Sequence, residues 1–150
     1  MSRVVLLDAG PLGLVTNPKR SPASLECTRW LQGLLNAGVR VIMPEIADYE
    51  IRRELLRANK TRGLANLDAL GRVIEYLPID SATMKRAAEF WARARQQGQA
   101  TADDTSLDAD AILAAQADTL GIADAIVATT NVGHLSRFVS ADIWPNIGPS

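Results

Sequence analysis

A chain of 150 residues suits one domain around one core. Its 47% hydrophobic and 22% charged residues exclude a disordered polymer, and no apolar run is long enough to span a bilayer. The formal net charge of −1 lacks the basic excess of a typical nucleic-acid binder, so any such contact must come from a local patch.

The first apolar run, Val4 to Leu7, ends in Asp8-Ala9-Gly10-Pro11. A short run without alternation suits a strand buried on both faces, as in a parallel sheet. The run is too short for a signal-peptide core. Ser24 to Ala37 reads as a helix, with Leu25, Trp30, Leu31, Leu34 and Leu35 at helical spacing and Gly38 as its stop. The single cysteine, Cys27, lies in this helix. No intrachain disulfide can form, a reducing cytoplasmic setting fits, and Cys27 reads as a small packing residue.

Val39 to Met43 is a second buried strand, closed by Pro44. Helices are expected over Glu45–Ala58 and Thr61–Leu70, then a third strand over Val73–Ile79. Ser81 is a plausible N-cap for a helix to about Gln97. Thr101–Ser106 is the most loop-like interior stretch. An alanine-rich helix over Ser106–Leu120 ends at Gly121, and Ile122–Thr129 is a fourth strand. A short turn at His134–Arg137 and an edge strand near Phe138 or Ile143 complete the chain. Strands alternating with helices imply parallel crossovers, with helices on both faces of a mostly parallel sheet. Ligands then bind at the carboxyl ends of the strands, so the polar residues that follow strands matter most.

Asp8 stands at such an end, either as turn chemistry or as a functional carboxylate. Glu50 and Glu54 line one flank of the helix after the second strand, beside Arg53 and Arg57, which equally describes a solvated salt-bridge face. Asp110 shares a helix face with Leu113, Ala114 and Ala117. A carboxylate there needs a partner, whether the helix N-terminus or a cation. The Thr129-Thr130-Asn131 turn brings hydroxyl and amide oxygens to the same end of the sheet. His134 is the only histidine, which makes a zinc site a poor fit. Carboxylates converging at a sheet edge repel one another unless a hard cation such as Mg²⁺ or Mn²⁺ sits among them. Such ions suit phosphodiester hydrolysis.

In this order, Val4-Val5-Leu6-Leu7-Asp8, Pro44-Glu45-Ile46-Ala47-Asp48-Tyr49-Glu50, Asp110-Ala111-Ile112-Leu113-Ala114-Ala115-Gln116-Ala117 and Val127-Ala128-Thr129-Thr130-Asn131-Val132-Gly133-His134-Leu135 resemble the PIN domain. They resemble most the VapC-type toxins of bacterial toxin–antitoxin pairs. The resemblance covers nearly the whole chain. It implies a single domain over residues 1–150, a three-layer α/β/α fold and a sheet in the order 3-2-1-4-5. It implies metal-dependent endoribonuclease activity with Asp8, Glu50 and Asp110 as catalytic metal ligands for Mg²⁺ or Mn²⁺. An RNA substrate, an antitoxin partner and a homodimer follow from the same resemblance.

The chain departs from the family pattern at two places. Gly10 stands where PIN domains often have Ser or Thr, and Asn131 and His134 stand where many have a fourth acid. Asn131, Asp108 and Thr129 are the candidates to support the site there. A helix-end cluster of Arg52, Arg53, Arg57, Lys60 and Arg62 either binds RNA phosphates or forms a solvated face. Two other functions compete: a PIN-like module that binds RNA or a protein partner without cutting, and a receiver-like signalling domain. The latter needs a phosphoacceptor Asp after the middle strand, whereas here Pro78-Ile79-Asp80 follows the third.

Overall fold

The computed structural model describes residues 3–98, 104–133 and 135–150. In chain order these form β1 (Val4–Leu7), α1 (Ala9–Thr16), α2 (Pro22–Asn36), β2 (Arg40–Pro44), α3 (Glu45–Arg57), α4 (Thr61–Val73), β3 (Glu75–Leu77), α5 (Ser81–Gln96), α6 (Asp104–Thr119), β4 (Ala125–Thr129) and β5 (Ala141–Ile143). The five strands make one sheet in the order β3-β2-β1-β4-β5, and every pairing is parallel.

Alternation along the central strand divides the core. Val4 and Leu6 face a cluster with Ala87 and Phe90 of α5 and Ala111, Leu113, Ala114 and Ala115 of α6. Val5 and Leu7 face the other side, against Leu12 of α1, Leu31 and Leu34 of α2, and Leu67 of α4. All four β1 residues are buried, as expected of a strand covered by helices on both faces. The result is a three-layer α/β/α arrangement. β1 is also where the strand order switches direction, which opens a crevice at the carboxyl ends of the central strands.

The local chemistry explains most element ends. Ser21 caps α2 and Pro22 opens it. Beyond the C-terminus, Gly38 takes a φ of +81° while Val39 N–H returns to the Leu34 carbonyl at 3.0 Å. The α3–α4 hairpin uses the same closure without glycine. Asn59 adopts φ 55°, and Lys60 N–H reaches the Leu55 carbonyl at 2.8 Å. Gly63 then lets the two helices approach, because a Cβ there would lie 2.7 Å from Leu55 Cδ2.

Four sequence expectations are corrected. Ala9–Thr16 is a helix rather than a turn, since Asp8 caps it and Pro11 falls in its first turn, where no N–H is needed. The third strand shrinks to Glu75–Leu77 because α4 extends through the exposed Val73. Asp80, not Ser81, caps α5: its carboxylate accepts from Thr83 N–H at 2.8 Å. The last helix starts earlier than expected, at Asp104; Thr101, Ala102, Asp103 and His134 lie outside the described residues. The receiver-like reading falls with the topology. Asp80 follows the sheet's edge strand and serves as a helix cap.

Candidate carboxylate site

Asp8 leaves β1 at its carboxyl end while its N–H still bonds to the Ala128 carbonyl at 2.9 Å. Its two oxygens have different partners. Oδ1 accepts from Ala9 N–H at 2.7 Å, capping α1, and Oδ2 accepts from the Thr129 hydroxyl at 2.7 Å. Thr129 is only 1% exposed, so this bond is formed away from solvent, where charge-assisted bonds are strong. Asp8 is thus both the helix cap and the sheet-end carboxylate that the sequence offered as alternatives.

Glu50 reaches the same region from α3. Its carboxyl is held above the ordinary value of 4.5 first by partial burial, then by the negative charge of Asp8 and, more weakly, that of Asp110. Arg53 acts in the opposite direction. Acids on three separate elements, β1–α1, α3 and α6, therefore share one electrostatic neighbourhood. Asp110 lies on the half of α6 nearest the carboxyl ends of the strands, because α6 runs back across the sheet before β4 begins.

Among the described residues, no three Asp, Glu, His or Cys side chains are gathered into a ready-made metal cage. The constellation is open. Its donor set still fits a hard cation: all-oxygen ligands, with a half-buried Glu50 whose charge is opposed by two neighbouring carboxylates.

The supporting candidates divide. Thr129 touches Asp8 directly. Asn131 turns its amide oxygen to its own loop, accepting from Gly133 N–H at 3.0 Å. Asp108 is exposed and lies two residues from Asp110, so it projects from nearly the opposite side of α6. The basic cluster divides too. Arg52 is committed to Asp48 at 3.0 Å and to Asp68 at 2.8 Å, while Arg57 pairs with Glu54 at the surface and Arg53 lies over the Tyr49 ring. Arg57, Lys60 and Arg62, together with Lys19, line an open groove of about 780 Å³ between the end of α1 and the α3–α4 hairpin.

Two buried polar groups near the site carried little sequence signal. Gln116, fully buried, accepts from Ile46 N–H at 3.2 Å and donates to the Leu77 carbonyl at 2.8 Å. Pro44 gives α3 no capping side chain, so Gln116 caps that helix from across the fold. Asp48, 7% exposed, accepts from the Tyr76 hydroxyl at 2.9 Å and from Arg52. Its burial is the signature of a satisfied structural network. Cys27 is buried, and burial pushes its thiol up to about 12, which rules out a thiolate nucleophile at neutral pH.

The sequence matches the PIN domain family over residues 5–138. The chain belongs to the PIN domain family. Solved structures of similar fold include VapBC2 from Rickettsia felis bound to a promoter DNA fragment, with a TM-score of 0.68 at 14% identity, covering 94% of this chain and 98% of that one. VapBC-1 from nontypeable Haemophilus influenzae gives 0.68 at 17%, covering 95% and 99%. FitAcB from Neisseria gonorrhoeae gives 0.68 at 20%, covering 95% and 99%. No curated protein is similar enough in sequence to match. At these identities the likeness is one of fold. It agrees with the sheet order that the four sequence motifs implied for a PIN domain.

Proposed function

We propose that this PIN domain is a metal-dependent endoribonuclease, acting as a single domain and serving as the toxin of a toxin–antitoxin pair. The observation that carries the reading is the mutual repulsion of Glu50 with Asp8 and Asp110 at the carboxyl edge of the sheet. Acids held together at such a cost need a cation to balance them. Asp8, Glu50 and Asp110 would hold Mg²⁺ or Mn²⁺. When bound, such an ion supplies an acidified water and charge neutralisation for in-line displacement at phosphorus.

The chain's own residues do the rest. Thr129 fixes the rotamer of Asp8 through the bond to Oδ2. The α1 N-terminus, with its unpaired first-turn N–H groups, favours negative charge beside Asp8. Arg57, Lys60 and Arg62 on the groove, with Arg53 nearby, would attract the phosphates of an RNA strand despite the slightly acidic net charge. The antitoxin partner rests on the fold shared with the VapBC and FitAcB complexes. A homodimer in the cytoplasm belongs to the same reading. No helix among the described residues is long and apolar enough to cross a membrane.

The test is cleavage of an RNA by the purified protein with Mn²⁺ and with EDTA. Cleavage should need the metal and disappear in Asp8→Asn and Asp110→Asn proteins that still fold. Metal-independent cleavage, or full activity in both variants, would remove the proposal. One observation favours a second reading, a module that binds RNA or a protein without cutting. The Asn131 amide is occupied in its own turn rather than directed at Asp8. Tight RNA binding with no metal-dependent turnover would select that reading.

A further inference from the structure

Gly10 is the second residue of α1, two positions beyond Asp8. A Cβ built on it would lie 2.5 Å from Thr130 Cγ2, 2.6 Å from Thr130 Oγ1 and 3.0 Å from Thr130 Cβ. Rotation of the threonine about χ1 would move the first two atoms but leave Cβ where it is. The Thr130 side chain therefore occupies the space that any side chain at position 10 would enter. The departure at Gly10 and the presence of Thr130 are two halves of one arrangement, in which a side chain from the end of β4 replaces one from the first turn of α1.

The surroundings give that side chain a use. Its neighbour Thr129 donates to Asp8 Oδ2. The Thr130 hydroxyl therefore stands beside the first turn that Asp8 caps, yet Thr130 itself is exposed. None of the hydrogen bonds among the described residues engages its hydroxyl, so the oxygen remains able to meet a ligand. A valine would fill the same volume without supplying that oxygen.

We propose that Thr130 is a positioning residue of the carboxylate site, its hydroxyl standing where a side chain at position 10 would stand and orienting the water or phosphate oxygen held beside Asp8. The proposal rests on the nuclease reading for its ligand, though not for its packing.

The experiment compares wild type with Gly10→Ser, Thr130→Ala, Thr130→Ser and the double variant Gly10→Ser/Thr130→Ala. Thermal melts in EDTA report packing. Mn²⁺ titration by calorimetry, together with KM and kcat on an RNA oligonucleotide, reports the hydroxyl. Gly10→Ser should lose at least about 2–4 °C in Tm, the scale of a steric clash in a chain of this size. Thr130→Ala should hold Tm within about 2 °C while Mn²⁺ affinity or kcat falls about 10-fold, the usual cost of losing an outer partner of a metal site. Thr130→Ser should retain most of the function. The double variant should recover both Tm and Mn²⁺ affinity relative to Gly10→Ser.

A Thr130→Ala protein that matches wild type in Mn²⁺ affinity and kcat overturns the role of the hydroxyl. So does a double variant no better than Gly10→Ser. If wild type binds no Mn²⁺ and Asp110→Asn changes nothing, the nuclease reading fails and takes the ligand role with it. The exchange of space between positions 10 and 130 is still decided by the melts.

Discussion

Replacing Gln116 by leucine removes a side chain that joins three elements. Its amide accepts from Ile46 N–H, in the uncapped first turn of α3, and donates to the last carbonyl of β3. The residue is 0% exposed, so water cannot take over either bond. Leaving one buried donor and one buried acceptor unsatisfied costs about 1–3 kcal/mol each. The leucine returns about 1 kcal/mol through its extra apolar surface. The net loss is about 3 kcal/mol, or about 6–12 °C in Tm for a chain of this length. Urea denaturation followed by far-UV circular dichroism measures it. Gln116→Glu sharpens the test. It keeps an acceptor for Ile46 N–H but presents a carboxylate to the Leu77 carbonyl, so its deficit should grow above about pH 5 as the buried acid ionises. A Gln116→Leu protein within about 1 kcal/mol of wild type would refute the argument that this amide holds α3, and with it Glu50, in place.

Three further outcomes follow from the same geometry. A carboxyl whose pKa is raised on folding contributes stability that is complete below its unfolded value and lost as the pH rises through its folded value. For Glu50, metal-free Glu50→Gln should therefore gain stability over wild type as the pH climbs from 4 towards 8, with no gain at pH 4; denaturation in EDTA showing a pH-independent or opposite difference would contradict the assigned repulsion. Thr129→Val keeps the buried volume but removes the donor to Asp8 Oδ2, which should cost about 1.5 kcal/mol in a thermal melt and weaken Mn²⁺ binding as well. Cys27 should react with iodoacetamide far more slowly than a free thiol at pH 8 and match it only once the chain is unfolded, because burial holds the thiol protonated near 12.

The parts of this molecule that could be read from its sequence are those where burial imposes a pattern on consecutive residues. Val4–Leu7 and Val39–Met43 had no alternation to explain, and both became strands covered on two faces. Gly38 and Gly121 marked helix ends because each takes a positive φ that other residues resist. The short helix α1 was hidden because its residues, Ala-Gly-Pro-Leu-Gly-Leu-Val-Thr, have the composition of a turn. Its existence depends on the Asp8 cap and on burial of Leu12, and Leu12 finds its partners only in the assembled fold. Gln116 and Asp48 were unreadable as buried groups for the same reason. Gln116 bonds residues 70 positions before it and 39 before it, and Asp48 meets Tyr76 28 positions on. Asp8, Glu50 and Asp110 could be singled out by their places after strands and on helices, but their coupling belongs to the tertiary structure.

The stability of the site's scaffold comes mainly from neutral or charge-assisted bonds made away from water, while its ion pairs are mostly at the surface. Arg40–Glu75 has both side chains nearly half exposed, and Arg57–Glu54 is more exposed still. Such pairs contribute about 0–1 kcal/mol and are screened by salt. The bonds of Gln116, and those from Glu45 to Ile79 N–H at 2.7 Å and from Thr129 to Asp8, are at least partly buried and are not weakened by salt in that way. The repulsion among Asp8, Glu50 and Asp110 is partly screened in turn, because Glu50 is only half buried. Added monovalent salt therefore relaxes the strained site slightly while leaving its frame intact. A divalent cation acts in the same direction and much more strongly, since it sits among the charges rather than around them. The fold can thus hold three like charges together before any ligand arrives, because the groups that position them do not rely on charge pairing at the surface.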